Sequence, residues 1–161
     1  SQAVIDGFRA STAPYVLAVD SDGQCSPQDF WQFWRYRNQY DVIIGWRVDR
    51  ADPPVRKIMS GTFKLWYKAL FNVPIHDPSC PYLLIQQRVL QRLTPELGVL
   101  KQGFWWEFIA RAYRHGFKIM ELPVNHRLRK AGATRVYKWR KVPGIAVAHG
   151  LGLLKIWQQT R

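Results

Sequence analysis

Unbroken apolar blocks and helically spaced apolar positions alternate along this chain. The blocks are Tyr15–Val19 (YVLAV), the core of YDVIIGWR (40–47), PYLLI (81–85) and FKIMELPV (117–124). A short run that is apolar at every position predicts a strand covered on both faces, as in a parallel sheet. Tyr15–Val19 is therefore expected to be fully buried. The second strand is expected to stop at Gly45, the fourth at Pro123.

Between the blocks the period changes. Residues 1–11, 27–37, 53–71 and 104–116 place apolar side chains three and four apart, and a short helix after the third strand reaches Leu93. Ser26 is placed to cap the second helix, with Pro27 at its first position and Phe30, Phe33 and Trp34 on its buried face. Gly116 suits the position just past a helix C-terminus. Strand and helix alternate throughout, so the chain is an α/β domain.

Composition narrows the setting. With 161 residues, 47% of them hydrophobic, the chain suits one globular domain with a real core. A net charge of +13 predicts an anionic partner: nucleic acid, an anionic membrane surface or a phosphorylated substrate. Cys25 and Cys80 are too few for a disulfide framework and lack zinc-site spacing, which points to free thiols in a reducing, cytoplasmic setting. The opening SQAVIDGFRAST has no signal-peptide pattern. No apolar run reaches the roughly 18 residues of a membrane span. Residues 142–161 come nearest, but His149 and the glycines within them predict an interfacial amphipathic helix instead.

Candidate chemistry begins where the first strand runs out. Asp20 and Asp22 follow Val19, with Gln24 two residues on. Ligands of open α/β sheets bind beyond strand carboxyl ends, and paired carboxylates there can turn toward one hard cation, Mg²⁺ or Mn²⁺. Turn aspartates capping backbone amides fit the same local pattern. A calcium loop of the EF-hand kind needs a glutamate at its twelfth position, which is Trp31 here. A phosphohydrolase of the haloacid dehalogenase type would need a threonine or valine where Gln24 stands, and a later acidic pair that the chain lacks.

Seven segments in order, YVLAVDSDGQCSPQDF, YDVIIGWR, VRKIMS, DPSCPYLL, GFWWEF, ELPVNHRLRKAGATRVY and KVPGI, resemble family 2 glycosyltransferases of the polyprenol-phosphate mannose synthase type. The resemblance runs from Gly7 to Ile145. It implies a GT-A fold with a mixed, mostly parallel sheet, residues 1–141 forming the C-terminal two-thirds of that domain without its nucleotide-binding βαβ start. The implied reaction is metal-dependent, inverting transfer of a sugar from a nucleotide-diphosphate donor, with polyprenyl phosphate the favoured acceptor and peripheral membrane association. Asp20, Asp22 and Gln24 become the metal triplet. Arg47, Arg56, Ser60, Arg129, Thr134 and Arg135 become phosphate-binding residues, and Asp22 and Glu107 the catalytic ones.

Each assignment has a plainer counterpart. Arg56 and the 129–135 segment can be solvated basic surface. Glu107 precedes Arg111 by four residues, a pair that stabilises a helix by itself. A basic nucleic-acid-binding module, with Tyr137 and Trp139 among arginines, is the rival of another class, but no binding motif accompanies it. An inactive, scaffold-like relative is the third possibility.

Overall fold

The structure is a computed structural model that describes residues 2–48, 54–100, 103–126 and 142–160. In chain order the elements are α1 (Gln2–Ala10), β1 (Tyr15–Val19), α2 (Phe30–Tyr36), β2 (Val42–Arg47), α3 (Pro54–Phe71), β3 (Tyr82–Gln86), α4 (Gln87–Leu93), α5 (Phe104–Arg114), β4 (Ile119–Val124) and α6 (Val142–Gln159). A 3-10 turn, Pro27–Asp29, leads into α2, and another, Thr94–Glu96, follows α4.

The strands form one mixed sheet in the order β1-β3-β2-β4. β3 runs antiparallel to both neighbours, with Val19 opposite Tyr82 and Ile44 opposite Leu83. β2 and β4 are parallel, Arg47 beside Val124. Parallel pairing therefore holds for β2–β4 alone among the described strands. Because β3 is reversed, the carboxyl ends of β1, β2 and β4 and the amino end of β3 share one edge of the sheet.

The centre of the sheet is as apolar as its sequence requires: Val42–Ile44 and Tyr82–Ile85 are all buried. β1 is not. Leu17 and Val19 are 37% and 47% exposed, because β1 pairs only with β3 among the described strands and its other long edge has no strand partner there. β2 continues through Gly45 to Arg47. Gly45 is needed for close packing, since a Cβ there would meet Cys80 Sγ at 2.9 Å and Val124 at 3.0 Å.

α5 is the hub of the helical layer, with eight residues buried. Its Trp106 ring meets Phe63 and Tyr67 of α3 edge-on, at centroid distances of 4.8 and 4.7 Å. Phe8 of α1 packs against Phe104 and Phe108. Gly116 closes the helix with φ +77°, and the Phe117 amide donates back to the Ala112 carbonyl at 3.1 Å, a Schellman-type ending. Ser26 departs from the simple cap. Its hydroxyl meets Gln28 Oε1 at 2.6 Å rather than a backbone amide, and the helix opens as a 3-10 turn. Of its expected buried face only Phe33 is fully enclosed; Phe30 and Trp34 are half-buried.

Candidate active site

Four chain segments meet at the shared sheet edge: 20–29 after β1, 46–48 at the end of β2, 76–81 before β3 and 124–126 at the end of β4. The first is tied down at each end. The Asp20 amide donates to the Pro81 carbonyl at 3.3 Å. Asp22 Oδ1 accepts the Gln24 amide at 3.1 Å, across a turn that Gly23 makes with φ +72°. Cys25 forms an antiparallel bridge with His126. Asp29, buried, takes the Asn125 amide on Oδ2 at 2.8 Å and the Asn125 side-chain amide on Oδ1 at 3.0 Å. The aspartate loop is thus clamped to the exit of β4. The clamp brings His126 beside it, a residue that sequence reasoning left without a role. Its one signal was position: like Asp20, it lies just past a strand's carboxyl end.

The local field is negative although the chain is strongly basic. Burial, then the charge of Asp22, with smaller contributions from Asp20 and Asp29, pushes the Cys25 thiol up to about 11, while Arg47 pulls the other way. Three carboxylates thus lie within electrostatic reach of one half-buried thiol. The donors are hard oxygens, which fits Mg²⁺ or Mn²⁺ better than a softer metal. Asp22 also caps a backbone amide, the plainer of the two uses foreseen for the Asp-x-Asp pair. Among the described residues no three His, Cys, Asp or Glu side chains group as a ready metal site, so a cation here would need oxygens from its ligand.

Arg47 arrives at this edge, as expected, but its fork faces the protein. Nε and Nη2 donate to the two Asp77 oxygens at 2.7 and 2.9 Å, and Nη2 also reaches Ser79 Oγ at 2.8 Å. Both side chains are nearly enclosed, at 11% and 5% exposure. Asp77 is itself positioned by Glu121, which accepts the amides of His76 and Asp77 at 2.9 and 2.7 Å. In this geometry Arg47 anchors the 76–81 loop, with Nε and Nη2 directed at Asp77 and Ser79. Sequence alone could not tell a phosphate from Asp77, because a carboxylate satisfies a guanidinium equally well.

Glu107 is likewise committed. It is fully buried and accepts the Leu100 amide at 2.8 Å, the Val99 amide at 3.2 Å and Arg111 Nε at 3.1 Å. Arg111, 1% exposed, extends the network to Glu96 Oε2 at 3.3 Å and to Gln159 of α6 at 2.7 Å. Glu107 therefore holds the turn before α5 in place, and no oxygen of it faces solvent. Its expected role as catalytic base finds no support here. Arg56 and Ser60 fall on α3 four residues apart as expected, but their side chains lie outside the described residues, as do Arg129, Thr134 and Arg135 entirely. Beside the aspartate loop opens a cleft of about 550 Å³, with Gln28, Asp29 and Gln32 on one side and Asn125 and His126 on the other.

The chain superposes on glucosyl-3-phosphoglycerate synthase of Mycobacterium tuberculosis, solved with uridine diphosphate, with a TM-score of 0.65 over 98% of this chain and 54% of that one, at 12% identity. The architecture is that of a GT-A glycosyltransferase. In sequence the chain is 22% identical to the undecaprenyl-phosphate 4-deoxy-4-formamido-L-arabinose transferase of Pectobacterium atrosepticum, covering 83% of this chain and 39% of that protein. It is 26% identical to an uncharacterized glycosyltransferase of Mycobacterium bovis, covering 83% and 62%. No protein-family model matches. The chain thus spans less than two-thirds of the length of each of these proteins.

Proposed function

We propose that this chain carries the donor-diphosphate end of a glycosyltransferase that moves a sugar from a nucleotide-diphosphate donor to polyprenyl phosphate. The supporting observation is the Asp20–Gln24 loop at the carboxyl end of β1, clamped to β4 through the Cys25–His126 bridge, within a GT-A fold. Asp20, Asp22 and Gln24 would hold Mg²⁺ or Mn²⁺ together with the donor diphosphate. When bound, the cation supplies charge neutralisation for the leaving nucleoside diphosphate. Asp22 is the residue most directly tied to that step.

The acceptor phosphate oxygen attacks the anomeric carbon from the face opposite the diphosphate. The bond from that carbon to the diphosphate oxygen breaks, and the configuration inverts. A phosphate oxygen is already deprotonated near neutral pH, so no strong base is required. The enclosure of Glu107 agrees with this, and its role becomes positioning of the 99–100 turn. Arg56, Ser60, Arg129, Thr134 and Arg135 supply the phosphate contacts in this scheme.

No helix among the described residues is long and apolar enough to cross a membrane. α6 nevertheless presents Val147, Leu151 and Leu154 to solvent on the side opposite its buried Leu153 and Ile156. Such a stripe suits the interface of an anionic, cytoplasmic leaflet, where a lipid-linked acceptor resides. The test is transfer. The chain is incubated with UDP- and GDP-sugars, Mn²⁺ and undecaprenyl phosphate in vesicles, and the lipid products are separated. A glycolipid formed by the native chain and absent with Asp22→Asn is expected; no product from any donor contradicts the proposal.

A further inference from the structure

His76 opens the 76–81 segment at the same sheet edge as the aspartate loop, and three residues from separate elements meet around its ring. β2 and β4 pair Ile44 with Glu121 and Trp46 with Pro123, so Trp46 and Glu121 project from one face of the sheet. The His76 ring stacks on the Trp46 indole, with centroids 4.7 Å apart and planes 21° apart. Its Nδ1 meets Glu121 Oε2 at 2.7 Å. The carboxylate is nearly enclosed, at 9% exposure, while the imidazole is 66% exposed.

This contact fixes the tautomer. Both Glu121 oxygens already accept backbone amides, those of His76 and Asp77. Glu121 is therefore an acceptor toward the ring as well, Nδ1 carries the proton, and Nε2 is left as the acceptor. With one ring face on Trp46 and the Nδ1 edge on Glu121, the exposed part of the ring is the other face and the Nε2 edge. Nor does the loop need the ring, since the His76 backbone amide already ties it to Glu121. The neighbouring Asp77 holds Arg47, whose charge reaches Cys25 of the aspartate loop. An imidazole oriented by a carboxylate, with its acceptor nitrogen toward solvent, is equipped to take a proton from a hydroxyl. A phosphate acceptor makes no use of such a group; an alcohol requires one.

We propose that His76 accepts the proton of a hydroxyl nucleophile, so that the chain glycosylates an alcohol as well as a lipid phosphate. The proposal rests on the glycosyltransferase reading. In the step, the alcohol oxygen bonds to the anomeric carbon, and the bond from that carbon to the diphosphate breaks with its electron pair on the leaving nucleoside diphosphate. The hydroxyl proton passes to Nε2 and then to solvent, while Glu121 keeps its charge.

The test compares decanol with decyl phosphate, acceptors that share a tail and differ in needing a base. Each is supplied in vesicles with UDP- and GDP-sugars and Mn²⁺. His76→Phe keeps a ring on Trp46 and the backbone bond to Glu121. It should lower the ratio of decanol to decyl phosphate turnover about a hundred-fold, in kcat and not in KM, as loss of a general base does. An unchanged ratio overturns the proposal. So does decyl phosphate transfer by the native chain with none to decanol, which leaves the glycosyltransferase reading standing. No product from either acceptor removes both. A readout free of turnover is the ¹⁵N spectrum of the neutral imidazole: the unprotonated nitrogen should be Nε2, and finding it at Nδ1 overturns the proposal alone.

Discussion

Arg47 is where a residue's type and its task part company. An arginine past a strand end at an anionic site invites a phosphate, yet its fork is filled by Asp77 and Ser79. Removing one partner of an enclosed ion pair strands the other, at a cost of about 3–5 kcal/mol. Arg47→Ala should therefore lower the unfolding free energy measured by urea titration by that much. A stability equal to the native chain's would return Arg47 to the phosphate side. The position of Asp20 and Asp22 past the end of β1, by contrast, was legible in advance, because the apolar block stops at Val19. The Asp29–Asn125 clamp was not, since it joins segments 96 residues apart and no local spacing records it.

Helices and strands were readable nearly to their ends, because periodicity and apolar blocks follow directly from which faces are covered. Failures came where a neighbour decides the outcome. The five residues of β1 read as a central strand, but a run of apolar side chains cannot say whether a partner lies on both edges. Ser26 read as a cap, but its hydroxyl found Gln28 instead. At the same scale, α4, α5 and α6 are joined through Glu96, Arg111 and Gln159. Burial alone would raise the Glu96 carboxyl, but His115 and Arg92 hold it below its ordinary value. A carboxylate depressed in the folded state stabilises above its unfolded pKa and loses that contribution as pH falls through the folded one. The stability of the native chain should thus decline below about pH 4.3, and Glu96→Gln should flatten that decline while being less stable at pH 7. Equal acid slopes in denaturant titrations would show that the link carries no such coupling.

Over the whole molecule, charge and exposed apolar surface act together. A net charge of +13 draws the chain toward anionic surfaces, and the Val147, Leu151, Leu154 stripe gives α6 something to insert. Co-sedimentation with phosphatidylglycerol-containing vesicles should fall with added salt, and should fall at least ten-fold with Leu151→Glu at constant salt, since a charge replaces a buried leucine. If salt abolishes binding while Leu151→Glu leaves it unchanged, the surface is basic only and α6 is not an interfacial helix.

The loop between β1 and α2 is the proposed seat of a cation shared with a diphosphate. Paramagnetic broadening reads it directly, without needing any particular nucleotide or sugar. With substoichiometric Mn²⁺ and inorganic pyrophosphate added to the ¹⁵N-labelled chain, the amides of Asp20 to Ser26 and of His126 should broaden before all others, only when both are present, and not at all in Asp22→Asn. Broadening that begins elsewhere, or that survives Asp22→Asn, would contradict it.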